Sequence, residues 1–187
     1  LKSQPEFKTN QDPSTPCNTF ISSLYQKERL LFLLRYGLAY VEEHSKDGTI
    51  QLQKHVMRYP QFFATKAIED AIEKGVKKGV IWHTQGSGKT ALSYFNIRYL
   101  TNYFSKQEIV PQFYFVVDRL DLADQATREF TKRGLKVKRI NRPQELNEKH
   151  DAYQVAVVNI QKFKDNSDLT DHSGYDLNRQ NIYFIDE

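Results

Sequence analysis

The sequence predicts an α/β fold built on a mostly parallel sheet, and three observations predict it. Short apolar runs alternate with helical patterns from about residue 80 onward. A glycine loop joins the first of these runs to the helix after it, and the last run ends in two adjacent carboxylates. Strands that alternate with helices imply parallel pairing, with the sheet covered on both faces.

Taken in order, residues 1–18 are polar, contain Pro5, Pro13 and Pro16, and read as an extended lead-in. Residues 20–41 place Ile21, Leu24, Leu30, Leu31, Leu33, Leu34 and Leu38 at helical spacings, with Gly37 near a break. Residues 44–48 form a polar turn. A helix over residues 62–74 carries Ala64, Ala67, Ile68, Ala71 and Ile72 along one side. Residues 80–82 then read as a buried strand, followed by an amphipathic helix from about Lys89 through residue 103. Further strands fall at residues 113–117, 137–140, 153–158 and 182–185, with a helix over residues 120–133. Residues 165–180 are polar and read as the longest surface loop.

The loop between residues 82 and 91 reads Trp82-His83-Thr84-Gln85-Gly86-Ser87-Gly88-Lys89-Thr90. Strand, glycine loop and helix in this order make a cradle for a nucleoside triphosphate. Gly86 and Gly88 lack a Cβ, so the backbone can wrap the phosphates and turn its N–H groups inward. The helix N-terminus adds partial positive charge, Lys89 reaches the β- and γ-phosphates, and the Thr90 hydroxyl ligates Mg²⁺. The strict pattern has glycine where this chain has His83. That side chain either contacts phosphate or packs to shape the loop. At the other end, Asp186 and Glu187 terminate an apolar run. Beside a phosphate loop they read as the Mg²⁺ partner and the base that deprotonates the attacking water. Taken alone, they read equally as an acidic turn.

Composition bounds the class. The chain has 187 residues, enough for one α/β domain with an extension. Its 27 basic and 23 acidic residues leave a net charge of +4, which permits a polyanionic partner without demonstrating one. A single cysteine, Cys17, excludes an internal disulfide and a Cys-based zinc site, pointing to a reducing setting. No apolar run is long enough to span a bilayer, and no membrane partner is expected. Lys74, Lys77 and Lys78 read as a solvated basic face. Leu1 at the start and Glu187 at the end suggest a piece of a longer polypeptide.

The chain resembles the first RecA-like lobe of superfamily 2 helicases and translocases, and within them the motor (R) subunit of type I restriction-modification enzymes. Residues 82–90 look like that family's motif I, in which histidine at the place of His83 is usual. Phe115-Val116-Val117-Asp118-Arg119-Leu120-Asp121-Leu122 with Gln125 looks like motif Ia. Asn159-Ile160-Gln161-Lys162-Phe163 resembles the segment after the fourth strand, with Asn159 where threonine is frequent. Ile185-Asp186-Glu187 looks like the opening of a DEAH box. Lys27 to Leu31, Leu34 to Tyr36 and Arg58 to Gln61 resemble the nuclease-to-motor connection and the segment preceding the motor.

The resemblance implies a RecA-like P-loop sandwich over residues 61–187, preceded by a lead-in and helical linker over residues 1–60. It implies ATP and Mg²⁺ as ligands, with Gln61, Thr84, Gln85, Gly86, Ser87, Gly88, Lys89 and Thr90 holding the nucleotide. Gln61 would read the adenine edge with its amide, or else it is an ordinary surface glutamine. Arg119, Gln125, Gln161 and Lys162 would contact the DNA backbone, although Arg119 could instead pair with Asp118 or Asp121. Double-stranded DNA and the methyltransferase (M) and specificity (S) subunits are the implied partners, in a prokaryotic cytoplasm. The nuclease site and the second lobe with its arginine finger are expected outside these residues. The competing readings are another superfamily 2 motor, such as a repair helicase, a type III restriction motor or a chromatin-remodeller-like protein, and a P-loop switch or binding module.

Overall fold

A computed structural model describes residues 25–45, 47–84, 86–142, 145, 153–163 and 179–186. They fall into two compact units, the described residues of 1–39 and 54–83, and those of 40–53 and 84–187. The expected lead-in over residues 1–18 lies outside the described residues.

In the first unit, α1 (Lys27–Tyr36) packs on α2 (Tyr59–Glu73). The Phe32 ring meets the Phe62 ring edge-on at 5.2 Å, and the Arg29 guanidinium lies 5.5 Å from the Phe62 centroid. The helix expected over residues 20–41 therefore stops at Tyr36. Gly37 closes it by donating its N–H to the Leu33 carbonyl at 2.8 Å. A Cβ at Gly37 would lie 2.9 Å from the tip of the Leu33 side chain and 3.0 Å from the Leu33 carbonyl oxygen, so a larger residue would force Leu33 to shift. In α2, Pro60 lies in the first turn, where its missing N–H has no partner to lose. The Arg58 N–H donates to Gln61 Oε1 at 2.9 Å, capping the helix start.

Beyond Gly37 the chain enters a hairpin that periodicity did not predict, β1 (Leu38–His44) paired with β2 (Ile50–Val56). Its signal is Asp47-Gly48, a dipeptide suited to tight strand reversal. Gly48 sits at φ 81°, and the Thr49 hydroxyl donates to Asp47 Oδ1 at 2.9 Å. Alternation of Ile50, Leu52 and Val56 with polar residues is the accompanying strand pattern.

The second unit carries a four-stranded parallel sheet in the order β4-β5-β3-β6. Its strands are β3 (Val110–Val117), β4 (Val137–Ile140), β5 (Val155–Asn159) and β6 (Arg179–Asp186). Two helices pack against it, α3 (Lys89–Ser105) on β3 and α4 (Leu120–Lys132) on β3, β4 and β5. The core sits between them. Phe130 of α4 is fully buried and meets Phe115 of β3 edge-on at 5.2 Å. On the other face of β3, Tyr114 joins Ile140, Tyr153, Ala156 and Val158 in a second cluster.

Residues 80–82 form no strand: Val80 and Trp82 are 91% and 92% exposed. A three-residue apolar run makes few ladder bonds, and Gly79 before it weakens any strand further. The helix after the glycine loop is not amphipathic but buried nearly all round, including Leu92, Phe95, Asn96, Ile97 and Leu100. Among the described residues the sheet is also incompletely covered. β6 is its edge strand among the described residues, with Tyr183 58% and Ile185 75% exposed. Arg179 and Gln180, expected in a loop, open that strand, and the rest of the loop lies outside the described residues.

Candidate functional site

Parallel pairing brings the carboxyl ends of three strands into line. Val117 of β3 is in register with Asn159 of β5 on one side and Asp186 of β6 on the other. Open α/β sheets bind ligands at this edge. The helix that follows the glycine loop starts here as well.

Gly88 is the residue before α3 and adopts φ 82°, ψ 46°, the left-handed conformation that glycine alone takes freely. Gly86 is also left-handed at φ 75°, with open space where a Cβ would stand. The two turns bend the loop around the helix N-terminus, leaving its first N–H groups free of intrahelical partners. Ser87 Oγ is shut away from solvent without a hydrogen-bond partner, a donor available to an anion in the loop. Lys89 begins the helix and points its ammonium at β6, with Nζ 3.8 Å from Asp186 Oδ1. A half-exposed pair at that separation contributes little to stability. Its value is chemical. An ammonium and a carboxylate stand side by side at the carboxyl edge of the parallel sheet.

Thr90, half-buried in the first turn of α3, supplies the hydroxyl next to Lys89. Among the described residues no three His, Cys, Asp or Glu side chains gather into a metal cage. Thr84 is exposed at the loop entrance, where its carbonyl accepts the Ser87 N–H at 3.2 Å. His83 keeps Nδ1 buried without a partner. Gln85 and Glu187 lie outside the described residues. Gln61 belongs to the first unit and is 3% exposed, its amide oxygen committed to the Arg58 N–H.

The residues expected to touch DNA lie at or near the same sheet edge. Arg119 precedes α4 and forms a bidentate pair with Asp121, with Nε–Oδ1 at 3.1 Å and Nη2–Oδ2 at 2.8 Å. Both partners are well exposed. Gln125 is exposed one turn into α4, and Gln161 is exposed in the 3-10 turn Ile160–Phe163, whose backbone also includes Lys162. Sequence reasoning missed the group that joins these segments. Asn159 is 1% exposed; its amide nitrogen donates to the Asp118 carbonyl at 3.2 Å, and its amide oxygen accepts the Gln161 N–H at 3.0 Å. The signal was present as an asparagine ending an otherwise apolar strand.

Residues 60–187, more than half of the chain, match the SWI2/SNF2 ATPase family. The chain belongs to that family. The matched residues include the glycine loop and the four-stranded parallel sheet. Three curated relatives are all type I restriction enzyme endonuclease subunits by name. The MjaVIIP subunit of Methanocaldococcus jannaschii is 43% identical over 54% of this chain and 10% of its own length. The SauCOLORF180P subunit of Staphylococcus aureus is 38% identical over 57% of this chain and 11% of its own. The MjaIXP subunit of M. jannaschii is 27% identical over 96% of this chain and 17% of its own. The chain thus spans between a tenth and a fifth of the length of these relatives. No helix among the described residues is long and apolar enough to cross a membrane.

Proposed function

We propose that this chain is the ATP-binding part of a double-stranded DNA translocase, the restriction (R) subunit of a type I restriction-modification system. The observation that carries the reading is the Lys89–Asp186 pair, 3.8 Å apart at the carboxyl edge of a parallel sheet, in a chain similar to type I endonuclease subunits. ATP lies in the loop of residues 84–90, with residues 61–187 as the first motor lobe and residues 1–60 as the connection from a nuclease. Thr90 and Asp186 hold Mg²⁺, which neutralises phosphate charge. Lys89 and the loop N–H groups stabilise the charge that grows on the γ-phosphoryl oxygens, and Glu187 takes the proton of the attacking water. Gln61 reads adenine only if its amide leaves the helix cap.

Arg119, Gln125, Gln161 and Lys162 follow the DNA backbone. An exposed ion pair is cheap to exchange, so Arg119 can leave Asp121 for a phosphate. The M and S subunits supply assembly and recognition, in a prokaryotic cytoplasm.

Phosphate release by the full-length protein, with and without double-stranded DNA, tests the reading. Lys89→Ala should lower DNA-stimulated ATPase by ~100-fold or more, as losing a positioned donor does. Full activity in that variant rules out the site. Wild-type hydrolysis that ignores DNA instead assigns the loop to a switch module.

A further inference from the structure

We propose that Asn159 is a positioning residue that couples the nucleotide site to the DNA-contacting segments; the proposal rests on the motor reading above. Both hydrogen bonds of its buried amide leave its own strand. One ties β5 to the Asp118 carbonyl, the residue immediately before Arg119, and the other holds the Gln161 N–H at the start of the next turn. Arg119 and Gln161 are thereby fixed to each other through one side chain.

The same side chain is tied to the nucleotide site. Asn159 and Asp186 are the two register partners of Val117, so a displacement of Asp186 along its strand is carried across β3 to Asn159. The Asp118 carbonyl continues directly from Val117. Asp186 in turn faces Lys89 at 3.8 Å. Any movement of Asp186 on nucleotide hydrolysis would shift the end of β6 against β3, and the amide would pass that shift to both outer segments together. An amide suits this role because one end donates while the other accepts, and the carbonyl and N–H it meets need opposite partners.

The test uses full-length protein and the isosteric pair Asn159→Thr and Asn159→Val. Threonine keeps a hydroxyl that donates and accepts, whereas valine keeps the shape without any polar atom. Valine also suits a strand already lined by Val155, Val157 and Val158, all buried. Three quantities are read: nucleotide affinity, DNA-independent ATPase and the DNA concentration giving half-maximal stimulation. Asn159→Val should raise that DNA concentration about tenfold, the effect of losing one to two buried hydrogen bonds. Its nucleotide affinity and basal rate should stay within about twofold, and Asn159→Thr should keep DNA dependence within about threefold of wild type. Equal DNA dependence in the two variants, or loss of nucleotide affinity in step with DNA response, overturns the proposal. Should Asn159→Val fail to fold, Asn159→Asp decides: it keeps the acceptor, loses the donor and is expected to show the valine phenotype. Wild-type protein with no DNA stimulation at all refutes the motor reading itself, a different result from a wild-type response that valine leaves intact.

Discussion

Tyr114 and Tyr183 stack at 4.8 Å across β3 and β6, one ring buried and the other open to water on one side. Burial is the largest influence raising the Tyr114 hydroxyl above its ordinary value, followed by the Tyr153 and Tyr183 hydroxyls, against a smaller lowering by Arg179. Burial likewise raises Tyr183. An unfolded tyrosine ionises near pH ~10, while in the fold these hydroxyls hold their protons longer. Below that pH the preference for the neutral form is fully present; above it the unfolded chain loses protons that the folded one keeps, so stability falls as pH rises. Urea unfolding between pH 9 and 11 should therefore show a stability that declines above about pH 10. Tyr114→Phe should make the decline shallower, and an unchanged slope would remove Tyr114 as its source.

At the level of elements, α3 contains an oddity that bears on stability. Asn96 is fully buried, and neither end of its amide finds a hydrogen-bond partner among the described residues. A buried amide left unpaired costs about 1–3 kcal/mol, so Asn96→Leu should raise the unfolding free energy by about 1 kcal/mol or more in urea titration. A loss of stability would show that the amide is satisfied in solution. How far these elements could be read from the sequence depended on what makes each one form. The helix after the glycine loop starts at Lys89 as expected, because left-handed Gly88 leaves the chain no other place to begin it. The strand at Val137–Ile140 matches in both bounds, and Leu120–Lys132 ends one residue before the expected Arg133. These are elements whose apolar spacing faces a single core. Periodicity failed where two signals overlapped: Leu38 and Val41 continue the leucine pattern of α1, yet Gly37 turns them into a strand completed by residues twelve or more positions away. It also failed at Val80 and Trp82, since apolar character alone does not provide a neighbouring strand. Of the candidate site, Lys89 and Asp186 could be read from chemistry in one dimension, whereas the Asn159 bridge spans 41 positions between Asp118 and Asn159 and exists only once β3 and β5 pair.

For the whole molecule, charge sets the terms of any contact with DNA. A net charge of +4, from 27 basic and 23 acidic residues, gives weak general attraction to a polyanion. On the proposed motor reading, DNA binding rests on a few local contacts, each adding about −0.9 to the slope of log affinity against log salt. If Arg119 exchanges Asp121 for a phosphate, Arg119→Ala should make the slope shallower by about 1 when half-saturating DNA is measured across a salt series. An unaltered slope would leave Arg119 with Asp121. β6 ends the sheet with one row of backbone N–H and C=O groups unmatched by any described strand, and it carries Tyr183 and Ile185 on an open face without a lysine or proline to blunt them. Such a border is a template for pairing with a second chain. Prepared by itself, this chain should associate as its concentration rises, through strand-to-strand growth at β6. Light scattering should follow that growth, and Ile185→Lys should suppress it by placing charge on the border.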